Sequence, residues 1–131
     1  MAAKKHPLAH LVPEMKFHDE YVPRVVHELQ DMDLMQYARD FSRNVLLFGP
    51  TGPGKTSLVL AYAAAQKLPL VTIQCNGGID SASLWGQPVM DEDGKVAYQE
   101  SDPTLVVRHG GILYLDEINF MPLMVPPKIE I

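Results

Sequence analysis

Cysteine is all but missing from this chain. Cys75 stands alone among 131 residues, so no disulfide framework can form, and a reducing cytoplasm is the expected setting. Long apolar runs are missing too. The longest, Leu58 to Ala65, is far too short to span a bilayer, so no membrane contact is expected. The opening stretch MAAKKHPLAHLVPEMKF carries Lys4 and Lys5 but no apolar segment of leader type, because His6, Pro7, His10 and Pro13 interrupt it. Basic excess is also lacking. Eleven Lys and Arg face sixteen Asp and Glu, a net charge of −5, and no long basic run occurs, which argues against nucleic acid as a partner. Paired metal-ligand histidines are absent as well. His6 and His10 are four apart, but Pro7 lies between them, and His18, His27 and His109 have no Cys, His or paired carboxylate at ligand spacing. Any metal is therefore expected to arrive with a nucleotide.

Close to half of the residues are apolar, enough for a true core in one domain of ordinary size. Residues 1–24 hold Pro7, Pro13 and Pro23 and read as an irregular N-terminal arm. From Arg24 to Phe41 apolar residues recur at helical spacing, with Asp31 or Asp33 placed to cap a second helix running to about Arg43. NVLLF (44–48) reads as a short buried parallel strand, and Lys55 to Lys67 as a helix stopped by Pro69. A second strand is expected at 69–75, then a helical turn from Asp80 or Ser81 to about Trp85. A hairpin follows about Asp93-Gly94. Ser101-Asp102-Pro103 opens a helix that Gly110-Gly111 closes, and ILYL (112–115) is a third buried strand. Alternation of this kind predicts an α/β fold, a parallel sheet with helices on its faces.

Between the first strand and its helix lies GPTGPGKTS (49–57). Gly49-x4-Gly54-Lys55-Thr56 fits the phosphate-binding pattern G-x-x-x-x-G-K-[ST]. Glycines let successive backbone N–H groups turn toward phosphate oxygens, and the helix that follows points its positive end at the same anion. Pro50 and Pro53 stiffen the loop and lack an N–H, which leaves the cradle to Thr51, Gly52, Gly54, Lys55 and Thr56, with Ser57 beside them. Lys55 is suited to the β- and γ-phosphates and the Thr56 hydroxyl to Mg²⁺. The spacing of Gly49, Gly52 and Gly54 does not suit a dinucleotide fingerprint, and that reading leaves Lys55-Thr56 unexplained. GGILYLDEIN (110–119) supplies two carboxylates at a strand end. Asp116 is placed to hold Mg²⁺ through its water shell, and Glu117 to act as general base on the attacking water; Asn119 either supports Glu117 or is an exposed loop residue. Arg39, Arg43 and Arg108 read as surface charge.

Together, NVLLFGPTGPGKT and LYLDEIN resemble the AAA+ ATPases, in their MoxR-like and dynein-related branch, with YVPR (21–24), QCNGGIDSASLWG (74–86) and PTLVVRHGGILYLDEIN (103–119) in support. The resemblance covers about Tyr21 to Met121. It implies a P-loop NTPase αβα sandwich, ATP and Mg²⁺, a homo-oligomeric ring whose neighbours share sites and supply an arginine, and remodelling of a protein partner whose identity stays open. It also sets Tyr21–Pro23 near the adenine. A GTPase is disfavoured because no Asn-Lys-x-Asp occurs.

The domain layout expected is an arm at 1–24, a partial ATP-binding core at 25–121 and a Pro-rich tail at 122–131. The fold is expected to be incomplete at its C-terminus. The resemblance implies a helix after Pro122, which Pro126-Pro127 would break, then two further strands and a helical lid. The chain accordingly reads as a fragment, a truncated frame or a divergent remnant. The fold so implied sets a later strand between 44–48 and 112–115. Without it, the two must pair directly or leave ladder groups unpaired, at about 1–3 kcal/mol for each buried group. Direct pairing would move the acids by about one strand spacing, ~4.8 Å. Nucleotide binding is therefore expected, and efficient turnover by this chain alone is not; the alternative is a non-hydrolysing nucleotide-binding or regulatory fragment.

Overall fold

Helix α3, Lys55–Gln66, takes its place from the residues at its two ends. Gly54 turns left-handed before it, and Lys67 turns left-handed after it. The N–H groups of Lys67 and Leu68 donate to the carbonyls of Ala64 and Ala63, which closes the last turn before Pro69. The computed structural model describes residues 4–50, 52 and 54–120. These divide into a unit at Val12–Leu68 and a second unit formed by the described residues of Met1–Leu11 and Pro69–Ile131.

Within Val12–Leu68, α3 buries Leu58, Val59, Ala61, Tyr62, Ala63 and Ala64. It lies against α1 (Lys16–Asp19) and α2 (Asp31–Asp40). The Tyr62 hydroxyl donates to Gln36 Oε1 at 2.8 Å, and Arg39 Nη1 donates to Gln66 Oε1 at 3.0 Å, so two polar contacts fix α2 on α3. Helix α2 has Asp31 and Asp33 in its first turn and Arg39 in its last, in keeping with its dipole.

Two expectations fail in this unit. The helical spacing from Arg24 does not give a helix over 25–29. Instead β1 (Val25–Val26) and β2 (Leu29–Gln30) form a two-residue hairpin turned at His27 and Glu28, whose φ angles are 49° and 69°. Buried Asp31 decides this. Its N–H donates to the Arg24 carbonyl at 2.9 Å and its carboxylate accepts from the Arg24 N–H at 3.2 Å, which doubles the chain back on itself. The helix cap is thus Gln30 rather than Asp31 or Asp33, and the helix ends at Asp40.

The second failure is NVLLF, which is not a strand. Composition there favours β-structure, but a strand exists only where a neighbour completes its ladder, and among the described strands none pairs with it. Leu46 and Phe48 are 71% and 87% exposed.

In the second unit, β3 (Leu70–Gln74) and β6 (Ile112–Asp116) pair in parallel, in register from Leu70 with Ile112 to Gln74 with Asp116. Between them come α4 (Ser81–Trp85), the antiparallel hairpin of β4 (Gly86–Met90) and β5 (Val96–Glu100), and α5 (Asp102–His109), which lies against both parallel strands. Asp80 caps α4 by accepting from the Ser83 N–H at 2.9 Å. Ser101 caps α5 through the Thr104 N–H at 3.3 Å, with Pro103 in its first turn.

The core here joins Leu8, Val71 and Val106, with Leu11 and Leu105 packed against it. Leu8 is held from the N-terminal stretch: its N–H donates to His6 Nδ1 at 3.0 Å, and His6 Nε2 donates to the Gly110 carbonyl at 2.8 Å. Residues 4–24 hold little regular structure, a 3-10 turn at Ala9–Leu11 and α1. Strand β6, expected to be buried, is only half-buried, with Leu113 exposed, because among the described residues it pairs on one edge alone. The tail at 122–131 and the helix implied after Pro122 lie outside the described residues.

Candidate phosphate-binding site

The loop and the acidic pair fall in different units, and each has its own geometry. In the first, Gly49, Gly52 and Gly54 all have positive φ, at 152°, 95° and 84°. At Gly52 a Cβ would meet no atom within 4 Å, so the backbone turn, rather than crowding, calls for glycine. Gly54 is different. A Cβ there would lie 3.0 Å from Nη2 of Arg24, so this glycine also makes room for a guanidinium.

Gly54, the N-cap of α3, has no side chain with which to cap the helix, and a helix start of this kind, with its positive dipole end, suits an anion. Lys55 is half-buried and curls back over the loop, its Nζ donating to the carbonyls of Gly49 and Pro50 at 2.9 Å each. Thr56 and Ser57 follow on the same turn with exposed side chains. Thr51 and Pro53 lie outside the described residues. A turn of positive-φ glycines, a helix start directly after it and a lysine folded over its own loop suit a nucleotide's phosphates.

In the second unit β6 ends at Asp116, which is half-buried. Its Oδ1 accepts from the Tyr114 hydroxyl at 3.2 Å and its carbonyl accepts from the Cys75 N–H at 2.9 Å. Burial, and next the charge of Asp116, push the thiol of buried Cys75 up from its ordinary range, which leaves that cysteine an unreactive core residue. Glu117 is exposed and takes a left-handed φ of 54°, so the chain turns sharply between the two acids and a single strand end presents them differently. Asn119 lies exposed in a 3-10 turn, Ile118–Phe120, held by the Phe120 N–H on the Glu117 carbonyl at 2.9 Å. The Thr56 hydroxyl in the first unit and the Asp116 carboxylate in the second are each oxygen donors of the type Mg²⁺ prefers. Arg108 pairs with Glu100 at 2.6 Å, and Arg39 with Gln66, so both make surface contacts.

The sequence reading overlooked the group around Asp31. Tyr21 donates its hydroxyl to Asp31 Oδ2, and the same carboxylate holds Arg24. Burial first, then the bond to Asp31 and its charge, push the Tyr21 phenol up to about 12, with Arg24 working the other way. YVPR (21–24) stands out in the sequence, but nothing in its spacing tells that Arg24 reaches Gly54.

These geometries agree with comparison to known proteins. The family described as "AAA domain (dynein-related subfamily)" matches residues 44–126. The chain is 43% identical over 74 residues to the denitrification regulatory protein NirQ of Pseudomonas aeruginosa, covering 56% of this chain and 28% of that protein. It is 40% identical over 85 residues to NirQ of Stutzerimonas stutzeri, covering 65% and 30%, and 40% identical over 74 residues to protein NorQ of Paracoccus denitrificans, covering 56% and 27%. The chain thus matches less than a third of the length of each of these relatives. With the family match over 44–126 and an α/β fold that holds a parallel strand pair, the chain belongs to the AAA+ ATPases, in their dynein-related, MoxR-like branch.

Proposed function

We propose that Gly49, Pro50, Thr51, Gly52, Pro53, Gly54, Lys55, Thr56 and Ser57 bind ATP with Mg²⁺, and that a ring-forming protein built on this module hydrolyses it to remodel a protein partner. The observation that carries this reading is the loop itself, with its positive-φ glycines, the helix that starts at Gly54, and Lys55 folded over the loop. Lys55 exchanges its two carbonyl partners for β- and γ-phosphate oxygens, a charge-assisted contact stronger than the neutral ones it leaves. Thr56 and Asp116 would hold Mg²⁺, which when bound neutralises charge on the phosphates. Glu117 takes a proton from water as its oxygen attacks the γ-phosphorus and the bond to the β-phosphate bridge oxygen breaks, releasing ADP. NirQ is named a denitrification regulatory protein, and a regulatory role on a partner enzyme is consistent with that name.

The test is ATP binding and phosphate release by the parent chain, by Lys55→Ala and by Glu117→Gln. The reading expects Lys55→Ala to lose binding and Glu117→Gln to bind without turnover. Binding that survives Lys55→Ala unchanged would overturn it. Binding without turnover in the parent would leave a non-hydrolysing nucleotide-binding fragment as the function of this chain.

A further inference from the structure

The guanidinium of Arg24 has no role in the nucleotide reading given above, and its surroundings call for one. Its backbone is pinned on both sides by Asp31, with the Arg24 N–H on the carboxylate at 3.2 Å and the Arg24 carbonyl receiving the Asp31 N–H at 2.9 Å. Asp31 is itself buried and receives the Tyr21 hydroxyl, so the base of the arginine is held firmly. The side chain then runs to the phosphate loop, where a Cβ on Gly54 would lie 3.0 Å from Nη2 and 3.7 Å from Cζ. Among the described residues no carboxylate forms an ion pair with it. Gly54, where the guanidinium lies, opens the twelve-residue helix α3 at its positive end, and the same loop carries the ammonium of Lys55, bound to the neutral carbonyls of Gly49 and Pro50.

We propose that Arg24 is a polyphosphate-contacting residue of this nucleotide site, an inference that rests on reading residues 49–57 as that site. Three positive groups gathered at one loop repel each other unless an anion joins them. The planar fork of a guanidinium suits two oxygens of one phosphate, or one oxygen from each of two neighbours, as an ammonium does not. Gly54 then serves twice, once for its left-handed turn and once because a Cβ there would press against the Arg24 guanidinium. The β1–β2 hairpin acquires a purpose as well: by turning back at His27 and Glu28 it brings Asp31 onto Arg24.

The experiment is calorimetric titration of the full chain with Mg-ATP, Mg-ADP and adenosine, using the parent, Arg24→Ala, Arg24→Lys and Lys55→Ala, each also melted without nucleotide. Arg24→Ala is expected to weaken Mg-ATP binding about 10- to 100-fold, the range of a lost charge-assisted contact. Mg-ADP should weaken less, adenosine should be unaffected, and Arg24→Lys should recover part of the loss. If Arg24→Ala binds Mg-ATP as tightly as the parent, or loses adenosine equally, the inference is overturned while the nucleotide site stands. If Lys55→Ala makes no difference or the parent binds nothing, the site reading itself falls, and Arg24 with it. Should Arg24→Ala fail to fold, Arg24→Gln keeps the side-chain bulk and is judged by the same outcomes.

Discussion

Single residues in this protein carry measurable consequences because several sit in conformations or surroundings that their chemistry alone would not choose. Tyr21 is one. Its phenol is pushed up to about 12 from 10.0, so the folded chain holds that proton more tightly than the unfolded chain does. A raised acid contributes stability that is fully present below pH 10 and is lost as pH rises through 10 to about 12. Alkaline titration followed by phenolate absorbance should show Tyr21 titrating late, and Tyr21→Phe should remove both that step and its share of alkaline destabilisation. Glu117 is another. A left-handed φ disfavours a residue with a Cβ, so Glu117→Gly is expected to raise the unfolding free energy by about 0.5–1 kcal/mol. Under the proposed role of Glu117, the same substitution should also remove whatever ATP turnover the parent shows, and denaturant melts beside phosphate release would read both effects. Stability rising as chemistry disappears is the signature of strain kept for a task.

Among the elements, the outcome turned on neighbours. Helix α3, α5 and its cap, and the hairpin about Asp93-Gly94 were legible because their signals are local: Gly54 and Pro69 bound α3, and Ser101-Asp102-Pro103 and Gly110 bound α5. NVLLF was not, because apolar β-formers make a strand only beside a partner. Leu8 was equally hidden, since a leucine between prolines gives no periodic signal, yet it is 2% exposed among Val71 and Val106. Leu8→Ala should therefore cost about 2–5 kcal/mol in denaturant unfolding, a large part of a typical ~5–15 kcal/mol total. A truncation beginning after Leu8 should lose as much, whereas deletion before His6 should not.

For the whole molecule, a ligand that binds only the folded state must raise its stability. At 100 times its dissociation constant Mg-ATP is expected to add about 2.7 kcal/mol, and calorimetric melts should rise accordingly in the parent and not in Lys55→Ala. The motifs at Gly49–Ser57 and Asp116-Glu117, the alternation of α and β elements and membership of the AAA+ family were all readable in the sequence, because phosphate chemistry demands particular residues at fixed spacing. The tertiary structure alone decided that β3 pairs with β6, that Asp31 folds the hairpin back, and that Arg24 meets the loop at Gly54. Those contacts join residues far apart along the chain or turned back by a pair of hydrogen bonds. Their free energy depends on which groups find partners, and a linear pattern does not record that.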